Sequence, residues 1–164
     1  MTKIIIIGAG AMGTAFGYPC IDNNHDVSIV GTHLESNTID ELNKSRFHPG
    51  LNLEVAKQIK FFKHNLLKEV FKTKPDLIVI GVSSKGIEWI SDELKKISKD
   101  SKLPSLLMLT KGLSIHEKNY ELLVDKLERL LSSKGIKDIN LSAVGGPCLA
   151  PGLANRVHSG VVIA

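Results

Sequence analysis

The chain has 164 residues, enough for one domain with a buried core, and its 43% hydrophobic and 23% charged residues are ordinary for a folded globular protein. Its formal net charge is +4, and the 21 lysines and arginines are scattered, which argues against the clustered basic face that nucleic-acid binding needs. Cys20 and Cys148 stand far apart with no CxxC pair, against a disulfide framework or a zinc site.

The first apolar run, Lys3–Gly8, breaks at Gly8, too early for a signal h-region or a membrane span, so a cytoplasmic setting is expected. Its β-branched residues lack polar alternation, which predicts a strand buried on both faces. A helix is predicted from about Met12 to Asn23, although Pro19 lies within it and should kink or shorten it. A second strand follows over His25–Gly31, and Ser45–Leu53 reads as a loop. A weaker strand is predicted over Gln58–Phe62 and a fully buried one over Asp76–Val82, with Pro75 closing the helix between them.

Ile87, Ile90, Leu94 and Ile97 share one helical face, and Tyr120, Leu123, Leu127, Leu130 and Leu131 form a second stripe. Strands at Ser105–Thr110 and Asn140–Val144 continue the series, and Gly160–Ala164 reads as a last buried strand. Such alternation means βαβ units: an α/β fold of Rossmann type, doubly wound, with a mostly parallel sheet and helices on both faces. The whole span 1–164 is expected to be one domain.

Four segments carry chemistry. Gly8-Ala9-Gly10-Ala11-Met12-Gly13 is a GxGxxG between a buried strand and a helix. There Gly8 makes the turn, Gly10 admits a pyrophosphate to the backbone, and Gly13 lets helix and strand approach. The helix N-terminus would meet the phosphates with free N–H groups. At the end of the second strand, Gly31-Thr32-His33 carries no acid to hold an adenine ribose, and Glu35 comes a few residues late. Thr32 and His33 are compatible with a 2′-phosphate, so the reading leans towards NADPH or little preference. Lys111, in Thr110-Lys111-Gly112, follows a buried strand and should stand at the ligand-binding edge of the sheet. Gly145-Gly146-Pro147-Cys148-Leu149-Ala150 ends the sixth strand at that edge. A nucleophilic Cys148 would need a base, and the nearest histidine, His158, is not placed to serve.

In order and spacing these segments resemble the NAD(P)-dependent glycerol-3-phosphate dehydrogenase family. The family's GAGxxGTA is similar to Gly8–Ala15, its YLPG to Phe47–Gly50, its TKG to Thr110–Gly112, and its GPS/T-FA to Gly146–Ala150. Met12 replaces the usual aromatic, Cys148 replaces Ser or Thr, and Val82 stands where members often have Pro. The resemblance implies an oxidoreductase that interconverts dihydroxyacetone phosphate and sn-glycerol 3-phosphate with NAD or NADP. It implies cofactor contacts at Gly8, Gly10, Ala11, Met12, Gly13, Thr32, His33, Val82, Lys111 and Ala150, and substrate contacts at Lys111, Gly146 and Cys148. The family's general acid/base and most of its phosphate contacts come from a helical C-terminal half, so no catalytic residue is expected in this chain. A homo-oligomer is expected of the full-length enzyme. The alternatives are the cofactor domain of a ketopantoate-type or 6-phosphogluconate-type dehydrogenase, or a non-catalytic dinucleotide sensor.

Overall fold

The computed structural model describes residues 1–99 and 101–164. In chain order it contains β1 (Lys3–Ile7), α1 (Ala11–Asp22), β2 (Asp26–Val30), α2 (Ser36–Ser45), β3 (Phe47–His48), β4 (Leu53–Glu54) and β5 (Lys60–Phe62). There follow α3 (Leu67–Phe71), β6 (Leu77–Ile80), α4 (Ile87–Ile97), β7 (Ser105–Met108), β8 (Leu113–His116), β9 (Asn119–Leu122) and α5 (Leu123–Ser133). The last elements are β10 (Leu141–Gly145), α6 (Ala150–Ala154) and β11 (Val162–Ile163).

Seven strands form one sheet in the order β11-β10-β7-β6-β1-β2-β5, parallel except for β11. Numbered along the chain, the six parallel strands lie 3-2-1-4-5-6, the order of nucleotide-binding doubly wound sheets. The order reverses between β1 and β6, and a crevice opens there at the carboxyl ends of the strands.

The unbroken apolar runs divide by the two-residue period of a strand. Ile5, Ile7, Ile78, Ile80, Leu106 and Met108 pack against α3, α4 and α5. Ile4, Ile6, Ile29, Val79, Leu107 and Leu109 face the other way, where Cys20 of α1 and Ile39 and Leu42 of α2 join them. Both faces are covered, so the strands need no polar residues. The stripes expected on α4 are buried as read.

Several expectations need correction. The stripe begun at Tyr120 is not one helix: α5 starts at Leu123, and Tyr120 lies on the β8–β9 hairpin, 79% exposed. Gly160–Ala164 does supply a strand at Val162–Ile163, but an antiparallel one that forms the outer edge of the sheet beside β10, with both residues exposed. Ser45–Leu53 is not all loop, since Phe47–His48 pairs with Leu53–Glu54. Pro19 does not shorten α1, which runs on to Asp22. The short α6 packs against α1, tied by Arg156, whose guanidinium donates to both Asp22 carboxylate oxygens at 2.7 and 2.8 Å.

Glycine governs how α1 meets the sheet. A Cβ on Gly13 would lie 2.2 Å from the Gly8 carbonyl oxygen, and one on Gly8 would lie 2.6 Å from the Gly81 oxygen. Both obstacles are backbone and have no rotamer to yield. Gly13→Ala is therefore expected to lower stability by about 2 kcal/mol or more, the upper part of the usual overpacking range. Urea denaturation followed by circular dichroism checks it; a variant as stable as the parent would show that α1 shifts freely on the sheet.

Candidate cofactor crevice and sheet-edge site

Gly8 ends β1 with φ +115°, a conformation open to glycine, and its N–H donates to the Val30 carbonyl at 2.8 Å. The chain then turns into α1, whose N-cap is Gly10 with no side-chain hydrogen bond and no acid in the first turn. The first amides of the helix are left facing the crevice without a capping side chain, the usual arrangement for an anion. Gly10 itself has φ −70°, and a Cβ there would come no closer than 3.8 Å to any neighbour, Glu35 Oε1. Its lack of a side chain answers to no packing need; it leaves the loop open from above. That open cradle fits a pyrophosphate.

Two side chains hold the loop between Gly8 and Gly10. His48, buried at the end of β3, accepts from the Leu51 N–H at Nδ1, 3.2 Å, which leaves Nε2–H to donate to the Ala9 carbonyl at 3.0 Å. From the opposite side, Glu35 Oε2 accepts from the Ala9 N–H at 3.0 Å and the Thr32 N–H at 2.7 Å. Neither brace is legible as such in the sequence: the Phe47–Gly50 segment carries the signal for His48, and Glu35 stands a few residues beyond the expected place of an acid.

A crevice of about 490 Å³ gathers Gly10, Ala11, Met12, Thr32, His33 and Val82, all expected at the cofactor, with Glu35, Lys85 and Trp89. Gly8 and Gly13 lie beneath it as the backbone contacts described above. His33 is exposed, with its ring 5.2 Å from Trp89 and 6.4 Å from His64. Trp89, on the first turn of α4, is a flat apolar wall with no motif in the sequence to mark it.

Lys111, Gly146 and Cys148 are brought together at a second place. The Lys111 ammonium donates to the Gly146 carbonyl, and Lys111 and Cys148 line an apolar cavity of about 490 Å³ with Phe16, Leu109, Val144 and Leu153. Met12 lines both cavities. The Thr110 hydroxyl donates to the Val82 carbonyl at 2.6 Å, tying the Thr110–Gly112 turn to the end of β6. Ala150 lies apart from both groups as a cofactor contact: it opens α6 and packs against the cluster of Ala15, Tyr18, Leu51 and Ala154. No group of three or more metal-ligating side chains occurs among the described residues.

The sheet order, the glycine turn at the switch point and the uncapped helix over it define a Rossmann-type nucleotide-binding domain. The sequence profile described as NAD-dependent glycerol-3-phosphate dehydrogenase N-terminus matches residues 3–164, and the chain belongs to that family. It is 26% identical over 161 residues to the NADP(+)-dependent glycerol-3-phosphate dehydrogenase of Archaeoglobus fulgidus, covering 98% of this chain and 46% of that protein. Over 100 residues it is 33% identical to the glycerol-3-phosphate dehydrogenase [NAD(P)+] of Bacillus anthracis, covering 58% of this chain and 27% of that protein. The glycerol-3-phosphate dehydrogenase structure from Coxiella burnetii has the same fold, with a TM-score of 0.77 at 21% identity, covering 99% of this chain and 46% of that one. The chain thus spans half or less of the length of these relatives. No helix among the described residues is long and apolar enough to cross a membrane.

Two outcomes follow. Gly10→Val is expected to keep the melting temperature within a few degrees while abolishing NADH and NADPH binding in calorimetry, since its Cβ makes only an ordinary 3.8 Å contact, to Glu35 Oε1, at the place where the phosphates would lie. Unchanged affinity would sink the cradle. The two thiols should also separate under alkylation. Cys20 is buried, which pushes its thiol up to about 11, so on the order of one molecule in a thousand is thiolate at pH 8. Mass spectrometry after brief iodoacetamide treatment of the folded protein is expected to show one adduct, on the half-buried Cys148; an adduct on Cys20 at a comparable rate would contradict the burial.

Proposed function

We propose that this domain binds NAD or NADP across the switch-point crevice, for interconversion of dihydroxyacetone phosphate and sn-glycerol 3-phosphate by the enzyme that carries it. The observation that carries the reading is the open glycine cradle beneath an uncapped helix N-terminus. Family membership and the relatives' names supply the substrate. The cofactor, when bound, accepts or donates the hydride exchanged at the substrate's C2.

This chain's own residues bind and orient. The first amides of α1 would hold the pyrophosphate, with Thr32, His33 and Val82 along the crevice walls. At the sheet edge, Lys111 would hold the substrate oxygen as a fixed positive charge, and Gly146 and Cys148 would border it. Met12, common to both cavities, stands between the cofactor side and the substrate side. The acceptor of the Lys111 ammonium, the Gly146 carbonyl, is neutral, and no ion pair to Lys111 occurs among the described residues, an arrangement suited to an anionic or carbonyl ligand. We further infer a cytoplasmic homo-oligomer. Support for association comes from the β8–β9 hairpin, whose Leu113, Ile115, Tyr120 and Leu122 are all more than half exposed.

The 164-residue chain is expected to bind cofactor without turning over substrate. Of the titratable groups that line the apolar cavity with Lys111, His25 precedes β2 at the amino ends of the strands, whereas Lys111 follows β7 at their carboxyl ends, and Cys20 is buried on α1, so neither stands beside Lys111 to exchange the proton. Absorbance at 340 nm, with dihydroxyacetone phosphate and either reduced cofactor, checks this. Turnover that disappears in Lys111→Ala would show that the domain completes the reaction alone. Failure to bind either dinucleotide would overturn the proposal.

A further inference from the structure

Resting on the cofactor reading above, we infer that Glu35 is the residue that chooses the cofactor: its free carboxylate oxygen accepts the adenine-ribose hydroxyls and excludes a 2′-phosphate. The end of β2 offers no acid at Gly31, Thr32 or His33. The structure supplies one from the turn beyond, where the chain folds back so that Glu35, at the N-cap of α2, reaches the glycine loop.

The two carboxylate oxygens do different work. Oε2 takes both backbone N–H groups, from Ala9 and Thr32, and is fully occupied by them. Two amide donors on one oxygen fix the carboxylate in place. Oε1 receives no hydrogen bond from the described residues and lies near Gly10, 3.8 Å from where a Cβ would stand. No lysine or arginine forms an ion pair with Glu35 among the described residues. An anchored anion therefore presents one unused acceptor at the wall of the crevice, next to the turn that fits the pyrophosphate. A ribose diol supplies donors for such an oxygen, whereas a phosphate supplies negative charge and acceptors only.

The other ionisable groups lining the crevice are Lys85, exposed on the 3-10 turn Ser84–Gly86, and His33, also exposed. Both face solvent, and neither makes a side-chain hydrogen bond among the described residues, while Glu35 is held by two. The fixed negative charge outweighs them, reversing the preference expected from the sequence. The names of the relatives divide on this point, one NADP(+)-dependent and one NAD(P)+, so the choice rests on side chains such as this one.

The test compares ADP-ribose with its 2′-phosphorylated form, and NADH with NADPH, by calorimetry on the purified protein and on Glu35→Gln. Glutamine keeps an oxygen for the two backbone amides and turns the free position from acceptor into donor. The parent is expected to bind the unphosphorylated ligand of each pair at least about tenfold more tightly, a difference of about 1.4 kcal/mol. Glu35→Gln is expected to move that ratio at least about tenfold towards the phosphorylated ligand, with its melting temperature near the parent's. A parent that binds both ligands equally, or prefers the phosphorylated one, overturns the inference even if the variant fails to fold. So does a folded variant with an unchanged ratio. A parent that binds none of the four ligands overturns the cofactor reading itself, and this inference with it.

Discussion

Three backbone segments touch at one point, and the rest of the molecule is arranged around that contact. Gly8 at the end of β1, Gly13 in the first turn of α1 and Gly81 after β6 lie so close that a Cβ on any of them would meet the backbone of another, at 2.6, 2.2 and 3.1 Å. The contact brings the start of α1 down onto the gap between β1 and β6, where the strand order reverses. Because no side chain intervenes, the position of the helix is set by covalent geometry rather than by how well a core repacks. An anion seated on the first amides of α1 thus inherits a position fixed relative to both halves of the sheet.

A glycine loop so free of side chains is also short of internal restraint. The molecule compensates from outside the motif: His48 holds the Ala9 carbonyl and Glu35 holds the Ala9 amide. The same peptide neighbourhood is gripped from two elements more than ten residues apart in the chain, one a buried imidazole and the other a carboxylate on a helix N-cap. Rigidity at the crevice is thereby borrowed from the β3–β4 pair and from the start of α2, both outside the glycine motif.

Much of this was legible in the sequence, for a physical reason. A strand buried on both faces must be apolar throughout, and Ile4–Ile7 and Leu77–Ile80 show that plainly; a turn needing φ +115° must be glycine, as Gly8 is. The glycine motif, Lys111 and Gly146 were found because backbone approach and sheet edges leave local traces. The β8–β9 hairpin left none. Its turn places Glu117 and Lys118 at φ +48° and +68°, a geometry usually marked by Asn-Gly, so the charged pair gave no signal and Tyr120 fell by coincidence on a helical spacing. Glu35 was hidden for a different reason: an offset along the chain says how late an acid comes, not where the intervening turn carries it. His48 was invisible because its role depends on a peptide thirty-nine residues away.

Met12 shares a wall with both cavities, and that placement has a chemical cost. Its thioether is the one soft, oxidisable atom lying between the cofactor crevice and the Lys111–Cys148 cavity. A single oxygen added to its sulfur would set a polar, chiral sulfoxide in an apolar partition. The damage could not be confined to one side. Peroxide would strike the two cavities together, and a sulfoxide reductase would restore them together. An aromatic residue at the same position would separate them as well and be indifferent to peroxide.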